Sequence, residues 1–357
     1  MYKILTINPG STSTKIAVFE NEEKVFLKNI KHSNEDLAPF NSIAEQYNFR
    51  METILNELKD AEQDVKTIDC IVGRGGLVKP IPSGIYEVND AMKRDLKASP
   101  LGEHASNLGG LIADSIAKSL ENVKAYIANP VVVDEMDDIA RFAGHPNFER
   151  ISIFHALNQK AIAEKYAREI GKSYEELNLI VVHLGGGISV GAHLKGNVVD
   201  VNNALDGEGP FSPERSGTLP AGQLVNICFS GKYEKTEIKK MLKGEGGFVA
   251  YLGTNDAYEV EMRAKAGDEK ALAVSNAMAY QVAKEIGANA AVLKGNVDAI
   301  LLTGGIAYNK QFCSFIEEMV SFIADIKVYP GEDEMSALAL NGLMVLQGDI
   351  NAKIYDK

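Results

Sequence analysis

Ile7-Asn8-Pro9-Gly10-Ser11-Thr12-Ser13-Thr14-Lys15 decides the fold, because Val182-His183-Leu184-Gly185-Gly186-Gly187-Ile188-Ser189 repeats its pattern in the second half of the chain. Each stretch has an apolar strand, one polar residue, a turn of glycine and hydroxyl residues, and a second strand. Such turns offer unpaired backbone N–H groups and hydroxyls, which are the donors that a phosphate chain requires. One turn in each half predicts two related domains that grip a polyphosphate, and so an enzyme that uses a nucleotide.

A second repeat supports this duplication. Ile68-Asp69-Cys70-Ile71-Val72-Gly73-Arg74-Gly75-Gly76 matches Val297-Asp298-Ala299-Ile300-Leu301-Leu302-Thr303-Gly304-Gly305 in its aspartate, one isoleucine and both final glycines. Each half is therefore a strand meander, then a helix, then a strand that ends in Gly-Gly, and the second half carries additional residues between its two motifs. The alternative is that any two α/β domains share strands ending in glycine.

Hydrophobic periodicity predicts alternating strands and helices. Strands are expected at residues 4–8, 13–20, 24–28, 68–73, 123–128, 179–183, 189–194, 198–201, 297–303 and 326–329. Helices are expected at residues 43–59, 104–120, 157–170, 258–265, 271–293, 311–323 and 335–346. The expected domains are residues 1–150 and residues 151–334, with a C-terminal helix in residues 335–357 that packs back onto the first domain.

The composition excludes several classes of protein. Of the 357 residues, 24% are charged and 45% are hydrophobic, as in globular proteins. The net charge of −12 argues against a general nucleic-acid binder, because phosphate contacts need clustered Lys and Arg. Cys70, Cys228 and Cys313 are isolated, which predicts structural thiols in a reducing compartment. The apolar runs are too short for a signal peptide or a membrane span, so we expect a cytoplasmic protein.

Two competing phosphate-loop motifs fail on spacing. Gly171-Lys172-Ser173 has the ending of a P-loop, but Tyr166 stands where that motif needs its first glycine. The triglycine of residues 185–187 could open a dinucleotide fingerprint, but Val190 stands where the third glycine belongs. The sequence supports neither Walker nor Rossmann chemistry.

The chain resembles the acetokinase family over nearly its whole length. Besides the two turns, the motifs that carry the resemblance are Gly73-Arg74-Gly75-Gly76, Pro210-Phe211-Ser212-Pro213-Glu214-Arg215-Ser216-Gly217 and Leu302-Thr303-Gly304-Gly305-Ile306. The resemblance implies the α/β fold of sugar kinases, heat-shock chaperones and actin: two ribonuclease-H-like domains with mixed five-stranded sheets, flanking helices and a nucleotide cleft between them. It also implies Mg²⁺-dependent transfer of a phosphoryl group from ATP to a short carboxylate, giving ADP and an acyl phosphate, by a homodimer or higher homo-oligomer.

Two arginines suit this chemistry. Phosphoryl transfer to a carboxylate brings two anions together, and at about 4 Å their repulsion costs several kcal/mol in a partly desolvated site. A guanidinium presents a planar fork of donors to such anions. Arg74 lies among glycines at a predicted strand end, and the resemblance implies that Arg215 is the second arginine of the site. The alternative for each is a solvent-exposed surface arginine.

The resemblance assigns further roles. His183 is the expected donor to the transferring phosphoryl group in the transition state. The phosphate chain is expected at the two turns, through Asn8, Ser11, Ser13, Lys15, Gly185, Gly186 and Gly187. Gly304 and Gly305 would let the adenosine approach the backbone at a strand-to-helix junction. Asp256 is similar to the family's aspartate beside the nucleotide, although it could instead cap the following helix.

The expected metal ligands are oxygen donors, because Mg²⁺ takes one or two carboxylates and keeps several waters. Besides Asn8, the resemblance implies Asp134, which is also expected at the catalytic centre, and Glu334. Asp134 could instead cap a helix, and Glu332 and Asp333 are rivals of Glu334 in an acidic run that could also be a solvated turn. His104 and His155 have family counterparts, but Ala105-Ser106 stands where acetate kinases have Asn-Pro.

Two small residues bear on the choice of acid. Acetate kinases have a branched residue in the place of Gly76 and an aromatic one in the place of Val182, so this chain is expected to have a roomier pocket. Two additional buried methylenes are worth about 1.6 kcal/mol. This favours butyrate over acetate, with propionate, isobutyrate and valerate as alternatives. A sugar kinase of the same superfamily and a nucleotide-gated assembly module are the other functions considered.

Overall fold

The computed structural model describes residues 1–99 and 102–357. They divide into two compact units: unit 1 is residues 1–133 with 333–357, and unit 2 is residues 134–332. The division comes earlier than residue 150 because the intervening segment is bonded to a strand of unit 2. The Asp137 N–H donates to the Val199 carbonyl at 2.9 Å, and Arg150 pairs with Asp200 at 2.9 Å.

The strands of the described residues are numbered along the chain. They are β1 (Lys3–Pro9), β2 (Ser13–Glu20), β3 (Glu23–Lys31), β4 (Cys70–Arg74), β5 (Ile85–Glu87), β6 (Lys124–Ala128), β7 (Asn178–Leu184), β8 (Ile188–Leu194), β9 (Asn197–Val201), β10 (Ala299–Gly304), β11 (Ile326–Pro330) and β12 (Lys353–Ile354). The turns after Pro9 and Leu184 fall where the glycine and hydroxyl residues predicted them.

The helices are numbered in the same way. They are α1 (Asn34–Leu37), α2 (Tyr47–Asp60), α3 (Asp90–Ala98), α4 (Asn107–Lys118), α5 (Ala156–Glu169), α6 (Ala221–Cys228), α7 (Lys235–Leu242), α8 (Gly247–Leu252), α9 (Ala257–Lys265), α10 (Glu269–Val292), α11 (Lys310–Val320) and α12 (Glu334–Gln347). None of the described helices is long and apolar enough to cross a membrane.

Unit 1 is built on a mixed sheet with the strand order β12-β5-β6-β4-β1-β2-β3. The first three strands form an antiparallel meander, while β4 and β6 continue from β1 in parallel. The sheet has seven strands instead of the expected five, because β5 and β12 extend its β6 edge. Helix α12 packs against β1 and β4, so the end of the chain returns to the first unit.

Unit 2 repeats this topology with the strand order β11-β10-β7-β8-β9. Here β7, β8 and β9 form the antiparallel meander, and β10 and β11 continue in parallel. The order matches β6-β4-β1-β2-β3 strand for strand, which confirms two related mixed sheets flanked by helices. The two glycine-ended motifs correspond as well, since β4 lies beside β1 as β10 lies beside β7.

The additional residues of unit 2 lie between β9 and α10. They include α6 to α9, of which α6 and α7 bury no residue. The apolar residues that α7 carries at helical spacing, Ile238, Met241 and Leu242, are only half-buried, so this part of unit 2 adds little to its core. The core of unit 2 lies elsewhere, where β7, β8 and β10 pack against α10 and α11.

Candidate active site

Residues 10–12 connect β1 and β2, and we call them the first phosphate turn after the ligand that the sequence predicts there. Asn8 lies near the end of β1, and Lys15 stands directly opposite it on β2, so the two side chains share one face of the sheet. Ser11 and Thr12 are exposed at the tip of the turn, and Ser13 is half-buried where β2 begins. Polar groups that could meet an anion therefore converge on this turn.

Asn8, Arg74 and Glu334 form a cluster within unit 1. The Asn8 Nδ2 donates to Glu334 Oε2 at 2.6 Å, and the Arg74 Nη1 donates to the same oxygen at 2.5 Å. The Arg74 Nη1 also lies 3.5 Å from Asn8 Oδ1. The ends of β1 and β4 and the first residue of α12 thus place an amide, a guanidinium and a carboxylate together.

The three acidic residues of positions 332–334, at the start of α12, have different surroundings. Asp333 caps α12 by accepting from the Ser336 N–H at 3.0 Å, and it pairs with Lys24 at 3.1 Å. Glu332 belongs to unit 2. Among the three, Glu334 is the residue whose carboxylate lies beside Asn8.

The cluster offers what a magnesium ion bound to a nucleotide needs. Glu334 supplies a carboxylate oxygen and Asn8 an amide oxygen beside the first phosphate turn. In the part of the chain that the structure describes, no group of three or more His, Cys, Asp or Glu side chains could hold a metal ion. Such a site fits Mg²⁺ that is held mainly by waters and substrate phosphates, with one or two ligands from the protein.

The second phosphate turn connects β7 and β8 in unit 2 and carries His183. This imidazole is 2% exposed, and its Nδ1 lies 2.8 Å from Asn158 Oδ1. Its ring stacks on that of His155, with centroids 3.8 Å apart and planes at 11°. The Nε2 atom lies 3.7 Å from Glu332 Oε2. Packing and hydrogen bonding therefore hold this imidazole in one orientation.

Arg215 lies directly on the triglycine hairpin of residues 185–187. A Cβ atom added at Gly187 would overlap the Arg215 Nη1, so the glycine is what admits the guanidinium. Nη1 donates to the Ala204 carbonyl at 2.5 Å, while the buried Nε has no acceptor among the described residues. Burial lowers the pKa of this guanidinium, against the opposing effect of Glu214. The guanidinium therefore has a hydrogen-bond donor that the described residues leave unused.

The other glycines of the hairpin also serve a purpose. A Cβ atom at Gly185 would lie 2.7 Å from His183 Nε2, which is too close for any side chain. The Gly186 carbonyl accepts from the Ser212 hydroxyl at 2.6 Å, which ties the hairpin to the loop that carries Arg215. Gly186 itself has open space around it, because its nearest neighbour is a Glu214 oxygen at 4.0 Å.

Gly304 and Gly305 lie where β10 ends beside β7. Gly304 has φ +95°, and a Cβ atom there would overlap the Leu184 carbonyl oxygen. The Gly304 and Gly331 N–H groups donate to each other's carbonyls at 3.1 and 2.9 Å. Gly304 is therefore closely packed, whereas a Cβ atom at Gly305 would meet nothing within 4 Å, so the open position at this strand end is Gly305.

Two of the acidic residues predicted at the site, Asp134 and Asp256, hydrogen-bond to other groups of unit 2. Both Asp134 oxygens accept from Arg141, at 2.8 and 2.9 Å, so this carboxylate holds an arginine in place. Asp256 is the N-cap of α9 and accepts from the Tyr258 and Glu259 N–H groups at 2.9 and 3.2 Å. These contacts favour the capping alternative for Asp256 and an ion pair for Asp134.

The two residues expected to enlarge the acid pocket have different reasons to be small. A Cβ atom at Gly76 would lie 2.6 Å from the Asn107 Cα, so this glycine allows the end of β4 to pack closely on α4. Val182 is fully buried in the core of unit 2, together with Ile180 and Leu184. Close packing gives each residue a structural reason for its size, and the roomier acid pocket stays a prediction.

His104 and His155, the other two histidines with family counterparts, each lie beside a neighbouring hydroxyl. The His104 Nδ1 lies 2.8 Å from the Ser106 hydroxyl at the start of α4. The His155 Nδ1 lies 2.9 Å from the Ser189 hydroxyl in unit 2. His155 thus joins the His183 neighbourhood, whereas His104 lies in unit 1.

Arg50 is a buried residue of unit 1 that no motif marks. It lies on α2 and is fully buried beneath the first phosphate turn. The signal in the sequence is its spacing, because Arg50, Ile54 and Leu58 occupy one helix face and all three are buried. An arginine on an apolar stripe is a buried cation that requires partners.

Comparison with known proteins matches the chain to one family. Residues 149–329 match the Acetokinase family. Butyrate kinases 2 and 1 of Clostridium acetobutylicum are 61% and 56% identical over 99% of this chain and cover 99% and 100% of their own length.

Solved structures share the fold. An acetate kinase from Porphyromonas gingivalis has a TM-score of 0.76 at 20% identity, covering 97% of this chain and 100% of its own. A propionate kinase from Francisella tularensis has a TM-score of 0.75 at 21% identity, covering 96% of this chain and 99% of its own. From the matched family, the whole-length relatives and the repeated sheet topology together, the chain belongs to the acetokinase family.

Proposed function

We propose that this carboxylate kinase transfers the γ-phosphoryl group of ATP to butyrate and releases ADP and butyryl phosphate. The choice of butyrate is supported by the 61% and 56% identical relatives, both of which are named butyrate kinases. The observation that carries the chemistry is the Arg215 guanidinium on the triglycine hairpin, with its buried Nε left without an acceptor. A buried cation with an open donor is suited to an anionic reactant.

The reaction proposed is direct in-line transfer. A butyrate oxygen attacks the γ-phosphorus, the bond from that phosphorus to the β,γ-bridging oxygen breaks, and ADP leaves with the electron pair. Such transfer needs alignment and neutralisation of charge more than covalent help from the protein.

In unit 1, the first phosphate turn would bind the phosphate chain through Ser11, Ser13 and Lys15. Arg74 would hold the carboxylate of the acid, supported by its contact with Glu334. Asn8 and Glu334 would hold Mg²⁺ or its waters. When bound, Mg²⁺ would neutralise charge on the phosphates.

In unit 2, His183 would donate to the transferring phosphoryl oxygens, in the orientation set by Asn158 and His155. Arg215 would stabilise the charge that develops there, beside Gly185, Gly186 and Gly187. Gly304 and Gly305 would border the adenosine. For Asp134 we propose a positioning role through Arg141 in place of a direct role at the metal.

The acid assignment can be tested directly. The purified protein would be incubated with ATP, Mg²⁺ and each straight or branched acid from two to five carbons, and acyl phosphate would be trapped with hydroxylamine. We expect the highest kcat/KM for butyrate. Best use of acetate would contradict the butyrate assignment, while ATP binding without any acyl phosphate would favour a nucleotide-gated module instead.

We also propose that the protein acts in the cytoplasm as a homodimer or larger homo-oligomer. The family resemblance supports this, as do exposed apolar side chains around α6, where Val225 is 53% and Phe229 is 87% exposed. Light scattering coupled to gel filtration would measure the oligomeric state, and a monomer at micromolar concentration would contradict the proposal.

A further inference from the structure

Arg50 is a buried cation without a counter-charge. Its side chain is fully buried, and no ion pair of residues 1–99 and 102–357 includes it. Burial is the cause that lowers its pKa. Its hydrogen-bond acceptors are all neutral: the Gly10, Ser11 and Ser13 carbonyls, the Thr14 hydroxyl and the Gln46 side-chain oxygen, at 2.8 to 3.0 Å. Burial of a charge of this kind is unfavourable unless another charge compensates it.

Arg50 also sets the direction of the peptide groups in the first phosphate turn. The carbonyls of Gly10 and Ser11 point down to its guanidinium, at 2.8 and 3.0 Å. In a trans peptide the N–H points opposite to the carbonyl, so the N–H groups of Ser11 and Thr12 point away from Arg50. Both residues are exposed, and neither N–H has a partner within the described parts of the chain.

Two other hydrogen-bonding groups of this region, the Thr12 carbonyl and the Thr14 hydroxyl, have His32 as their partner. The Thr12 carbonyl accepts from the His32 N–H at 2.9 Å. Since the Thr14 hydroxyl accepts from Arg50, its hydrogen is available to the His32 Nε2 at 2.8 Å. Burial, together with the Arg50 charge and against the opposing effect of Asp36, lowers the pKa of His32, which favours the neutral imidazole. The positive charge beneath the turn is therefore that of Arg50.

We propose that Arg50 is a positioning residue for the nucleotide phosphates. It fixes the turn so that two backbone N–H groups face the phosphate chain, and its own charge is compensated when that anion binds above it. The inference rests on the proposed use of ATP and adds a residue that acts through the turn without touching the nucleotide. A purely structural arginine would affect stability alone, whereas this role ties Arg50 to nucleotide affinity.

The test compares the effect of a substitution on the KM for ATP with its effect on the KM for butyrate. Arg50→Met keeps the length and apolar stem of the side chain and removes the charge and all its donors. We expect the KM for ATP to rise about 10- to 100-fold, the range for loss of hydrogen bonds to a charged group. The KM for butyrate should change far less. Arg50→Lys keeps the charge without the fork of donors, so its KM for ATP should lie between those of the wild type and of Arg50→Met.

Arg94→Met is the matched control, because Arg94 is an exposed arginine on α3 in the same unit. It should leave both KM values unchanged. If Arg50→Met has a normal KM for ATP, or raises both KM values equally, the proposal is overturned.

A second measurement needs no variant and no acid, so it stands even if Arg50→Met does not fold or butyrate is the wrong substrate. Hydrogen exchange of the wild-type protein is followed with and without the β,γ-imido analogue of ATP and Mg²⁺. We expect the analogue to slow exchange in the peptide that contains Ser11 and Thr12. Unchanged exchange there, at analogue concentrations that saturate the protein, would refute the inference.

Discussion

Replacing Gly187 by alanine tests the placement of Arg215 on the hairpin. The added Cβ atom would overlap the Arg215 Nη1, so the guanidinium has to move by roughly 1 Å, and a misplacement of that size can cost about 100-fold in rate. Gly187 is not among the residues with a left-handed backbone, so alanine fits its conformation. We therefore expect a folded enzyme whose kcat/KM is lower by about two orders of magnitude.

The assay is steady-state formation of acyl hydroxamate by Gly187→Ala, Arg215→Ala and the double variant. If the alanine acts by displacing Arg215, the double variant should be no slower than Arg215→Ala alone, because the two changes remove one interaction. Gly186→Ala provides a comparison in the same hairpin, where the nearest atom to a new Cβ is 4.0 Å away, and should be much less impaired. Near-normal kinetics for Gly187→Ala, or independent losses that multiply, would refute the placement.

Three further predictions concern the surroundings of the site. Glu334→Gln removes one ligand charge beside Arg74, so it should raise the Mg²⁺ concentration needed for half-maximal activity about tenfold. If a magnesium titration shows the same requirement as for the wild type, Glu334 is not a ligand. Arg141→Met should lower the free energy of unfolding by about 1–3 kcal/mol, because it leaves Asp134 without its bidentate partner; urea titration measures this, and no change would count against the ion pair. His193 is fully buried with its pKa well below the usual value, mainly through desolvation, so the unfolded chain binds a proton that the folded chain does not. Through His193, stability should therefore fall as pH drops below about 6.5, by up to about 1.4 kcal/mol per pH unit, and His193→Gln should make the slope shallower than that of the wild type in urea titrations between pH 8 and 5.

The repeated strand–turn–strand pattern made the fold predictable, because glycine and hydroxyl residues interrupt apolar runs at corresponding places in both halves. The prediction of residues 13–20 as a strand agrees with β2 residue for residue. Strands β5 and β12 were missed because three and two residues are too few to show alternation. They add to the sheet edge through pairing that depends on the rest of unit 1.

The motifs also placed Asn8, His183 and Arg215 at turns and strand ends, but not their partners. The Asn158 contact of His183 depends on tertiary packing between α5 and β7. The Arg141 contact of Asp134 is local, but it spans an irregular segment in which no helical or strand period predicts which side chains meet. Asp134 shows the consequence, since its place after a short apolar run is compatible with a metal ligand, a helix cap or an ion pair.

The proposed reaction transfers the γ-phosphoryl group of ATP directly to the carboxylate of the acid. Phosphorus NMR of the protein with ATP, Mg²⁺ and butyrate follows both compounds in one sample. We expect the γ-phosphate signal of ATP to decline as an equal signal of butyryl phosphate grows, and Arg215→Ala to nearly abolish this transfer. Release of inorganic phosphate at the same rate with and without butyrate, and no acyl phosphate signal, would contradict it.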